Sequence, residues 1–327
     1  MNVLIFSQQS DISTNNVTFW LAILGHHAVR INVEDTVEHV AVAFDDKGVK
    51  ISLEVRGKKI NLNRIDAVWF RRGRLVLNRK INFPKELDQT TYLAISNHLF
   101  KEELVTLERF IDECLYDKPH FGDNRGVCYN KLIALKKAKE VGLKIPTSEI
   151  NTKKKDLINF FNLHRQDCIS KGIQDILSFG IKNYGYNYGT SKIEIEDLEE
   201  MDKSFFPSLL QQNIAKKYEL RIFYLRSKFY AMAIFSQNDE QTKIDFRNYN
   251  DEKPNRNVPY ILPKEIEQKL ELFMQSMQLD CGSIDMIVTT NNEYVFLEVN
   301  PQGQYGMVSR PCGYQLDYEI AKELVNG

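Results

Sequence analysis

The chain has 327 residues, 43% of them hydrophobic and 27% charged, which is enough for two or three lobes around a buried core and argues against a disordered or fibrous protein. Lysine and arginine number 43 against 44 acidic residues, so the chain lacks the basic excess of a protein held mainly by nucleic-acid phosphates. No apolar run approaches the roughly 18 residues of a membrane-spanning helix, and five scattered cysteines without a CxxC pair fit a reducing cytoplasm.

Residues 1 to about 120 are expected to form an α/β lobe. A strand over Val3 to Phe6 begins it, a helix around Asn15 to Leu24 ends at Gly25, and the runs HVAVAF, KISLEV and DAVWFRR are β-like. Between Asn97 and Tyr116, apolar residues recur at spacings of four and three, which predicts an amphipathic helix of about five turns. This helix would close the lobe.

Two further segments follow. The second contains the helical pattern NKLIALKKAKEVGLKIP, ended by Gly142 and Pro146, and then the β-like run CISK. The run KNYGYNYGTSK predicts a loop from Tyr184 to Thr190, which either folds over phosphates or is a disordered connector. From Leu209 the pattern is rich in strands, with a helix from Pro263 to Met277 between two hairpins.

An acidic hairpin near the C-terminus is the most informative pattern. Two β-like runs flank Asn291-Asn292, and a two-residue loop there would place Asp285 opposite Glu298, with Asn300 pointing the same way. Two carboxylates about 5 Å apart repel by roughly 3 kcal/mol at an effective dielectric near 20. Two acids and an amide are oxygen ligands that suit Mg²⁺. The alternative is a solvated edge with the acids turned outward.

Several basic residues are candidates for binding phosphate groups. Lys131 lies near the start of a helix and Lys171 at the end of CISK, although most lysines of this segment are surface residues. Glu219 and Arg221 fall on one face of YELRIFYL, where the alternative to a site is a buried structural ion pair. Arg247, in KIDFRNY, either reaches a terminal phosphate or is a surface charge.

Taken in order, Lys131, Lys171, LLQQNIAKKYELR, DFR and FLEVNPQGQ make the chain resemble the ATP-grasp superfamily along its last two hundred residues. The runs FSQQSDISTNNVTFWL, VWFRRGRL and FLEVNPQGQYG are similar to the peptide maturases of grasp-with-spasm systems, relatives of the microviridin ligases that make graspetides, or ω-ester-linked peptides. The resemblance implies an α/β ATP-grasp fold: an N-terminal pre-ATP-grasp domain over residues 1–120, a central lid subdomain over 121–208, and a C-terminal subdomain over 209–327 with the Mg-ATP site.

The resemblance also implies a role for each residue of these motifs. The expected contacts to ATP are Lys131, Lys171, Gln211, Gln212, Asn213, Ile214, Glu219 and Asn300. The expected ligands of Mg²⁺ are Asp285, Glu298 and Asn300, and the expected catalytic residues, which contact the transferring phosphoryl group, are Arg221 and Arg247. Among the ATP contacts, Gln211 to Ile214 would form the hinge strand against adenine, and Glu219 would lie near the ribose. Gln212 stands where an acid often lies beside the adenine amino group. Trp69, Arg71 and Arg72 would orient the carboxylates of an acidic peptide, unless they form a charge cluster at a strand end.

In that family, a glutamate or aspartate side chain of a ribosomal precursor peptide is phosphorylated, and a threonine, serine or lysine of the same peptide then attacks. The resemblance thus implies a cytoplasmic ligase that uses ATP and Mg²⁺ and forms ester or amide crosslinks in a peptide with a leader and a core rich in threonine and acids. A homodimer is one expected assembly, and neither nucleic acid nor membrane is an expected partner. The alternatives are an ATP-grasp ligase for free amino acids or protein C-termini, and a non-catalytic nucleotide-binding or peptide-binding module.

Overall fold

The structure is a computed structural model that describes residues 1–77, 81–84, 86–122, 130–174, 177–181, 184–237, 252 and 254–326, with the backbone alone for 177–181 and 184–188. The chain divides into two compact units. The first unit comprises Met1–Arg125 and Gln315–Gly327, and the second unit comprises Gly126–Tyr314. The three-part division at residues 120 and 208 stays a prediction.

The secondary structure alternates between short strands and helices. In chain order the strands are β1 (Asn2–Ser7), β2 (His27–Asn32), β3 (Val37–Asp45), β4 (Gly48–Val55), β5 (Lys58–Asn61), β6 (Ala67–Phe70), β7 (His120–Phe121), β8 (Ser148–Lys153), β9 (Cys168–Lys171), β10 (Leu177–Ile181), β11 (Tyr184–Tyr188), β12 (Ser191–Lys192), β13 (Ser204–Gln212), β14 (Lys216–Leu225), β15 (Lys228–Phe235), β16 (Arg256–Tyr260), β17 (Cys281–Thr289) and β18 (Tyr294–Asn300). The helices are α1 (Ile12–Ile23), α2 (Gln89–Asn97), α3 (Leu104–Tyr116), α4 (Lys131–Glu140), α5 (Lys154–Leu163), α6 (Ile195–Glu200), α7 (Lys264–Ser276), α8 (Gly306–Cys312) and α9 (Leu316–Asn326). No helix among the described residues combines the length and the apolar character that crossing a membrane requires.

The first unit is built on a parallel sheet in the order β2-β1-β6-β7, beside an antiparallel sheet in the order β3-β4-β5. The predicted strand from Val3 to Phe6 is confirmed as the centre of β1, and its side chains are fully buried. The side chain of Asp11 accepts a hydrogen bond from the Ser13 N–H and so begins α1, one turn before the predicted start. On α1, Trp20 packs against Tyr318 of α9 with ring centroids 5.1 Å apart.

The predicted helix between Asn97 and Tyr116 is confirmed in part. Its α-helical portion is α3, and the segment His98–Glu103 before it is a π-helix that joins α3 to α2. Helical structure therefore begins at Gln89, because the Asp88 side chain accepts hydrogen bonds from the N–H groups of Thr90 and Thr91 and caps α2. Asp88 is a start signal outside the periodic pattern from which the helix was predicted.

The second unit contains two larger antiparallel sheets. The small sheet has the order β12-β9-β13-β8 and packs against α5 through residues such as Leu157 and Phe160. The large sheet has the order β16-β15-β14-β17-β18, and one of its faces forms an apolar core with α4 and α7 that includes Ile222, Phe273 and Met286. On the opposite face of the large sheet, Met232 and Ile234 of β15 pack against Val308 of α8 in a smaller apolar cluster.

The predicted loop from Tyr184 to Thr190 was wrong for its first five residues. The segment from Tyr184 to Tyr188, predicted as part of a loop, is strand β11 and pairs in antiparallel register with β10. Cross-strand bonds between backbone groups hold such a hairpin whatever its side chains are. A run of Gly, Asn and Tyr therefore forms a strand without the alternation that would reveal it.

Candidate active site

Charged side chains lie on the face of the large sheet opposite its apolar core. Along β14, Leu220 and Ile222 enter the core, so Glu219 and Arg221 point to the other face. In the ladder between β14 and β17, Arg221 stands directly opposite Asp285. The Arg221 Nη1 donates a hydrogen bond to Asp285 Oδ1 over 2.6 Å, and both residues are buried, at 6% and 8% exposure.

The predicted pairing of Asp285 with Glu298 is confirmed, but the register around it differs from the prediction. Four residues connect β17 to β18, because the Thr289 Oγ1 accepts hydrogen bonds from two backbone N–H groups of a wider turn. Val288 therefore pairs with Tyr294, one residue away from the predicted register. A β-bulge between Asp285 and Met286 restores the register and brings Asp285 opposite Glu298. Two departures from the predicted hairpin thus cancel.

Protein cations compensate both carboxylates. The Lys131 Nζ lies 3.4 Å from Glu298 Oε2, and Arg221 pairs with Asp285. Lys131 is the first residue of α4, whose start is fixed by Asn130, because its side chain accepts hydrogen bonds from the Leu132 and Ile133 N–H groups. The alternative of acids turned into solvent is therefore wrong for Asp285.

Glu219 belongs to a separate cluster of hydrogen bonds. Its Oε1 accepts from the Lys216 Nζ over 2.7 Å and from the Ser236 hydroxyl over 2.8 Å. Burial raises the pKa of the Glu219 carboxyl, and the contacts with Lys216 and Ser236 oppose that rise. Glu219 and Arg221 are thus not partners of each other, and the alternative of a structural ion pair between them is wrong. Glu219 pairs with Lys216, and Arg221 pairs with Asp285.

A cleft between the small and large sheets of the second unit brings most of the predicted residues together. It is lined by Pro146, Ile169, Lys171, Thr190, Gln211, Gln212, Asn213, Ile214, Lys216, Glu219, Asp285, Ile287, Leu297 and Glu298. Eight of the residues predicted to bind ATP or Mg²⁺ are among them. The carboxylates and Lys171 therefore share one cavity with the predicted hinge.

Two of the four hinge residues use their side chains to hold the hinge strand in place. The Gln211 side chain is buried and donates to the Ser148 hydroxyl over 2.9 Å, and the Asn213 side chain donates to Asp167 over 2.9 Å. These two side chains fix the hinge strand to its neighbours. The backbone N–H of Gln212 donates to the Thr147 carbonyl over 2.9 Å. Ile214 contributes an apolar side chain to the cleft.

Sequence reasoning missed the apolar wall of the cleft. Ile169 lies two residues before Lys171 and Ile287 lies two residues after Asp285, so strand alternation would have placed both on the site face. Leu297 lies at the bulge, where alternation gives no guidance. Flat apolar surfaces of this kind suit the faces of a planar base.

The remaining predicted residues lie elsewhere. Trp69 and Arg71 are buried in the first unit, at 2% and 4% exposure, and the Arg71 Nε lies 3.1 Å from Asp11 Oδ2. The Arg72 Nε lies 3.6 Å from the same oxygen, and its side chain is 26% exposed. The structure thus has the charge cluster at a strand end, and of these three residues Arg72 has the side chain open to solvent. Arg247 lies outside the described residues.

The oxygen atoms near the acidic hairpin fit a magnesium ion bound together with phosphates. Asp285 and Glu298 face each other, Asn300 follows on β18, and Ser283, opposite Asn300, has a buried hydroxyl without a hydrogen-bond partner among the described residues. Among all the residues that the structure describes, no three His, Cys, Asp or Glu side chains are placed to hold a metal ion. Mg²⁺ commonly takes one or two carboxylates and completes its shell with water and substrate phosphates.

Comparison with known proteins bears on the whole chain. Residues 2–123 match the family model of the MvdD pre-ATP grasp domain. The RiPP-associated ATP-grasp ligase of Chryseobacterium gregarium, solved with ADP and a leader and core peptide, is 27% identical with a TM-score of 0.78, over 99% of this chain and 95% of that one. The macrocyclase MdnC of Microcystis aeruginosa MRC, solved with the precursor peptide MdnA, is 26% identical with a TM-score of 0.78, over 100% of both chains.

A third relative supports the fold alone. The macrocyclase MdnB of the same organism is 23% identical with a TM-score of 0.71, over 100% of this chain and 99% of that one. No curated protein matches the chain in sequence. The predicted α/β ATP-grasp fold with an N-terminal pre-ATP-grasp domain is confirmed, and the resemblance to ATP-grasp ligases is confirmed with it.

Proposed function

We propose that this chain, an ATP-dependent ligase of the ATP-grasp superfamily with an MvdD-type pre-ATP-grasp domain, uses Mg²⁺-ATP to crosslink side chains of a ribosomally made precursor peptide. An aspartate or glutamate of the peptide core is phosphorylated and joined to a threonine or serine as an ω-ester, or to a lysine as an ω-amide, with release of ADP and phosphate. The leader and core peptide of the Chryseobacterium ligase and the precursor MdnA of MdnC support a peptide substrate.

The observation that carries this proposal is the charge arrangement around the cleft. Three carboxylates, those of Glu219, Asp285 and Glu298, and four cations surround it. The cations are Lys131, Lys171, Lys216 and Arg221. Mg²⁺-ATP brings a negative triphosphate and a positive ion to such a site. A protein cation that gives up its carboxylate can pair with phosphate, and a carboxylate that gives up its cation can pair with the metal ion.

The chain's own residues bind and orient. Asp285, Glu298 and Asn300 would hold Mg²⁺, while Lys131 and Lys171 would exchange their present partners for phosphate oxygens. Bound Mg²⁺-ATP supplies the phosphoryl group that converts a peptide carboxylate into an acyl phosphate.

Arg221, buried beside Asp285, places a permanent positive charge where the transferring phosphoryl group gathers negative charge. We extend the same role to Arg247, on the resemblance alone. The cleft supplies positions and charges, and the peptide itself brings the attacking group. Catalysis of this kind needs no nucleophile from the protein.

In the first unit, Arg72 is proposed as a contact for the acidic side chains of the peptide. Its guanidinium stays charged at any physiological pH and is planar, so it can hold a carboxylate by two hydrogen bonds. The buried Arg71 and Asp11 next to it hold the end of β6 in place. Trp69 and Arg71 would then act by supporting Arg72.

The test is to incubate the protein with ATP, Mg²⁺ and a threonine-rich and acid-rich peptide encoded beside its gene. The expected result is loss of one water from the peptide for each linkage, with release of ADP. Mild alkali cleaves esters and leaves amides, so the treated product tells which bond has formed. Unchanged masses for every candidate peptide, together with ADP release driven by free amino acids, would instead favour the ligase for free amino acids.

A further inference from the structure

Ser283 carries a buried polar group beside the acidic hairpin. Its side chain is fully buried, at 0% exposure, and its hydroxyl has no hydrogen-bond partner among the described residues. A buried hydroxyl without a partner destabilises a folded chain, and local departures of this kind are expected where a function compensates for them. The neighbours of Ser283 therefore indicate what the hydroxyl is for.

The register of the large sheet places this hydroxyl beside Asn300. Ile284 of β17 and Val299 of β18 enter the apolar core, so Ser283 and Asn300 lie on the opposite face, together with Asp285. Ser283 and Asn300 stand directly opposite each other in the ladder. The Cβ atoms of such a pair are about 4.5–5.5 Å apart, so rotation of one side chain brings hydroxyl and carboxamide into contact.

The carboxamide of Asn300 is held at its oxygen and not at its nitrogen. The Oδ1 accepts from the Gln302 N–H over 3.1 Å, and the Nδ2 has no acceptor among the described residues. A metal ion binds the oxygen of an amide, so the NH₂ group of a ligating asparagine points away from the ion and needs an acceptor there. A serine hydroxyl can accept such a hydrogen bond, and the hydroxyl of Ser283 is without a partner.

We propose that Ser283 is a positioning residue for the metal site: its hydroxyl accepts a hydrogen bond from Asn300 Nδ2 and so keeps Asn300 Oδ1 turned toward the ion. This rests on the proposed function, because it requires Mg²⁺ with a nucleotide in the cleft. A partner behind a metal ligand fixes the orientation of the ligand and strengthens metal binding. The same hydroxyl destabilises the chain when the site is not filled, because it is then buried without a partner.

Metal binding to the full chain with ADP, without peptide, tests the proposal. Mn²⁺, which takes similar oxygen ligands, replaces Mg²⁺, and the free ion is counted by electron paramagnetic resonance. Ser283→Ala is expected to weaken Mn²⁺ binding about tenfold, because the amide is no longer held. The binding of ADP without a divalent ion should not change. The midpoint of urea unfolding without ligand should rise, since a buried group without a partner has been removed.

Two further variants separate positioning from packing. Asn300→Ala should itself weaken Mn²⁺ binding, and adding Ser283→Ala to it should have no further effect, because the serine acts through the asparagine. Ser7 is the matched control, a fully buried serine of the first unit whose hydroxyl has a partner, the Thr14 hydroxyl, at 2.7 Å. Ser7→Ala is expected to lower the urea midpoint and to keep the full affinity for Mn²⁺.

Two results overturn the proposal. One is an unchanged Mn²⁺ affinity in Ser283→Ala, and the other is a loss of the same size when Ser283→Ala is added to Asn300→Ala. Failure of the wild type to bind Mn²⁺ together with ADP contradicts the proposed function itself.

Discussion

At the scale of single residues, the site depends on which cation faces which carboxylate. The acidic hairpin suggested a divalent ion because two carboxylates repel each other, yet in the structure Arg221 and Lys131 already stand beside Asp285 and Glu298. Repulsion between the acids alone therefore does not require a metal. The stronger reason for Mg²⁺ is the triphosphate, whose charge exceeds what these cations neutralise.

Glu298→Gln tests the ligand role of this carboxylate. We expect ADP release with peptide to fall by at least about 100-fold, because a metal-held oxygen and its charge are lost at the phosphoryl group. Thermal unfolding should change little, since Glu298 is partly exposed and its lysine lies 3.4 Å away. Glu293→Gln is the control: Glu293 lies on the same hairpin, pairs with Lys144 from the segment between α4 and β8, and is not one of the proposed Mg²⁺ ligands. Full turnover by Glu298→Gln would remove the metal assignment.

Arg221→Met tests the buried pair as a structural element. Without nucleotide and Mg²⁺, the free energy of unfolding is expected to fall by about 3–5 kcal/mol, because the buried Asp285 carboxylate loses its guanidinium. Urea unfolding measures the change. Lys264→Met, which removes an exposed partner of Glu267, should cost less than about 1 kcal/mol. A similarly small loss for Arg221→Met would contradict this, because it would mean that water takes the place of the guanidinium beside Asp285.

Glu219 makes the stability of the folded chain depend on pH, and the shift of its pKa defines the direction. Burial raises the pKa of its carboxyl above the ordinary 4.5, so the folded chain binds more protons at this group than the unfolded chain does. The stability that this group contributes is present below pH 4.5 and is lost as pH rises through the raised value. Urea unfolding of wild type and Glu219→Gln from pH 4 to about neutral should show the stability of the wild type falling relative to that of the variant. Parallel curves would contradict it.

At the scale of elements, the loop after β18 holds the acidic hairpin in shape. The Asn300 Oδ1 accepts from the Gln302 N–H over 3.1 Å, and the Gly303 N–H donates to the Asn300 carbonyl over 3.0 Å. Gly303 has a φ of +33° and packs against Ser283 of β17, so close that an added Cβ would lie 3.0 Å from the Ser283 nitrogen. The loop thus holds the end of β18 against Ser283, the residue of β17 that pairs with Asn300.

Gly303→Ala is therefore expected to lower the free energy of unfolding by about 1–3 kcal/mol, through strain and the close contact with β17. Gly306→Ala is a matched control three residues further on, where nothing lies within 4 Å of the added Cβ and φ lies outside the range that favours glycine. Urea unfolding compares the two. Equal stability of both variants would mean that the loop moves freely away from Ser283.

At the scale of the whole molecule, sequence patterns located the elements better than their mutual contacts. Alternation along YELRIFYL and the helical start at Lys131 put these residues in the right elements, and the order of motifs indicated the fold. The bulge beside Asp285 was not predictable, because it compensates for a one-residue shift in register that comes from a wider turn held by the Thr289 hydroxyl. The burial of Arg71 was not predictable either, since its partner Asp11 lies 60 residues earlier in the chain.

Apolar lining residues and edge strands show the same limit. Strand β16 is short, lies at the edge of the large sheet and contains a proline, Pro259, so its sequence lacks the signals of a strand. Ile287 is one of many apolar residues of β17, and only the position of the small sheet makes it part of a cleft. Such roles come from packing between segments, which one sequence does not encode locally.

The central claim, that the second unit activates a peptide carboxylate by phosphorylation, is tested most directly by isotope transfer. A precursor peptide with its Asp and Glu side-chain carboxylates labelled with ¹⁸O is incubated with the protein, ATP and Mg²⁺, and the released phosphate is analysed by mass spectrometry. Because the carboxylate oxygen that attacks ATP leaves with the phosphate, the phosphate is predicted to carry one labelled oxygen for each crosslink formed. Unlabelled phosphate alongside crosslinked peptide would contradict the account.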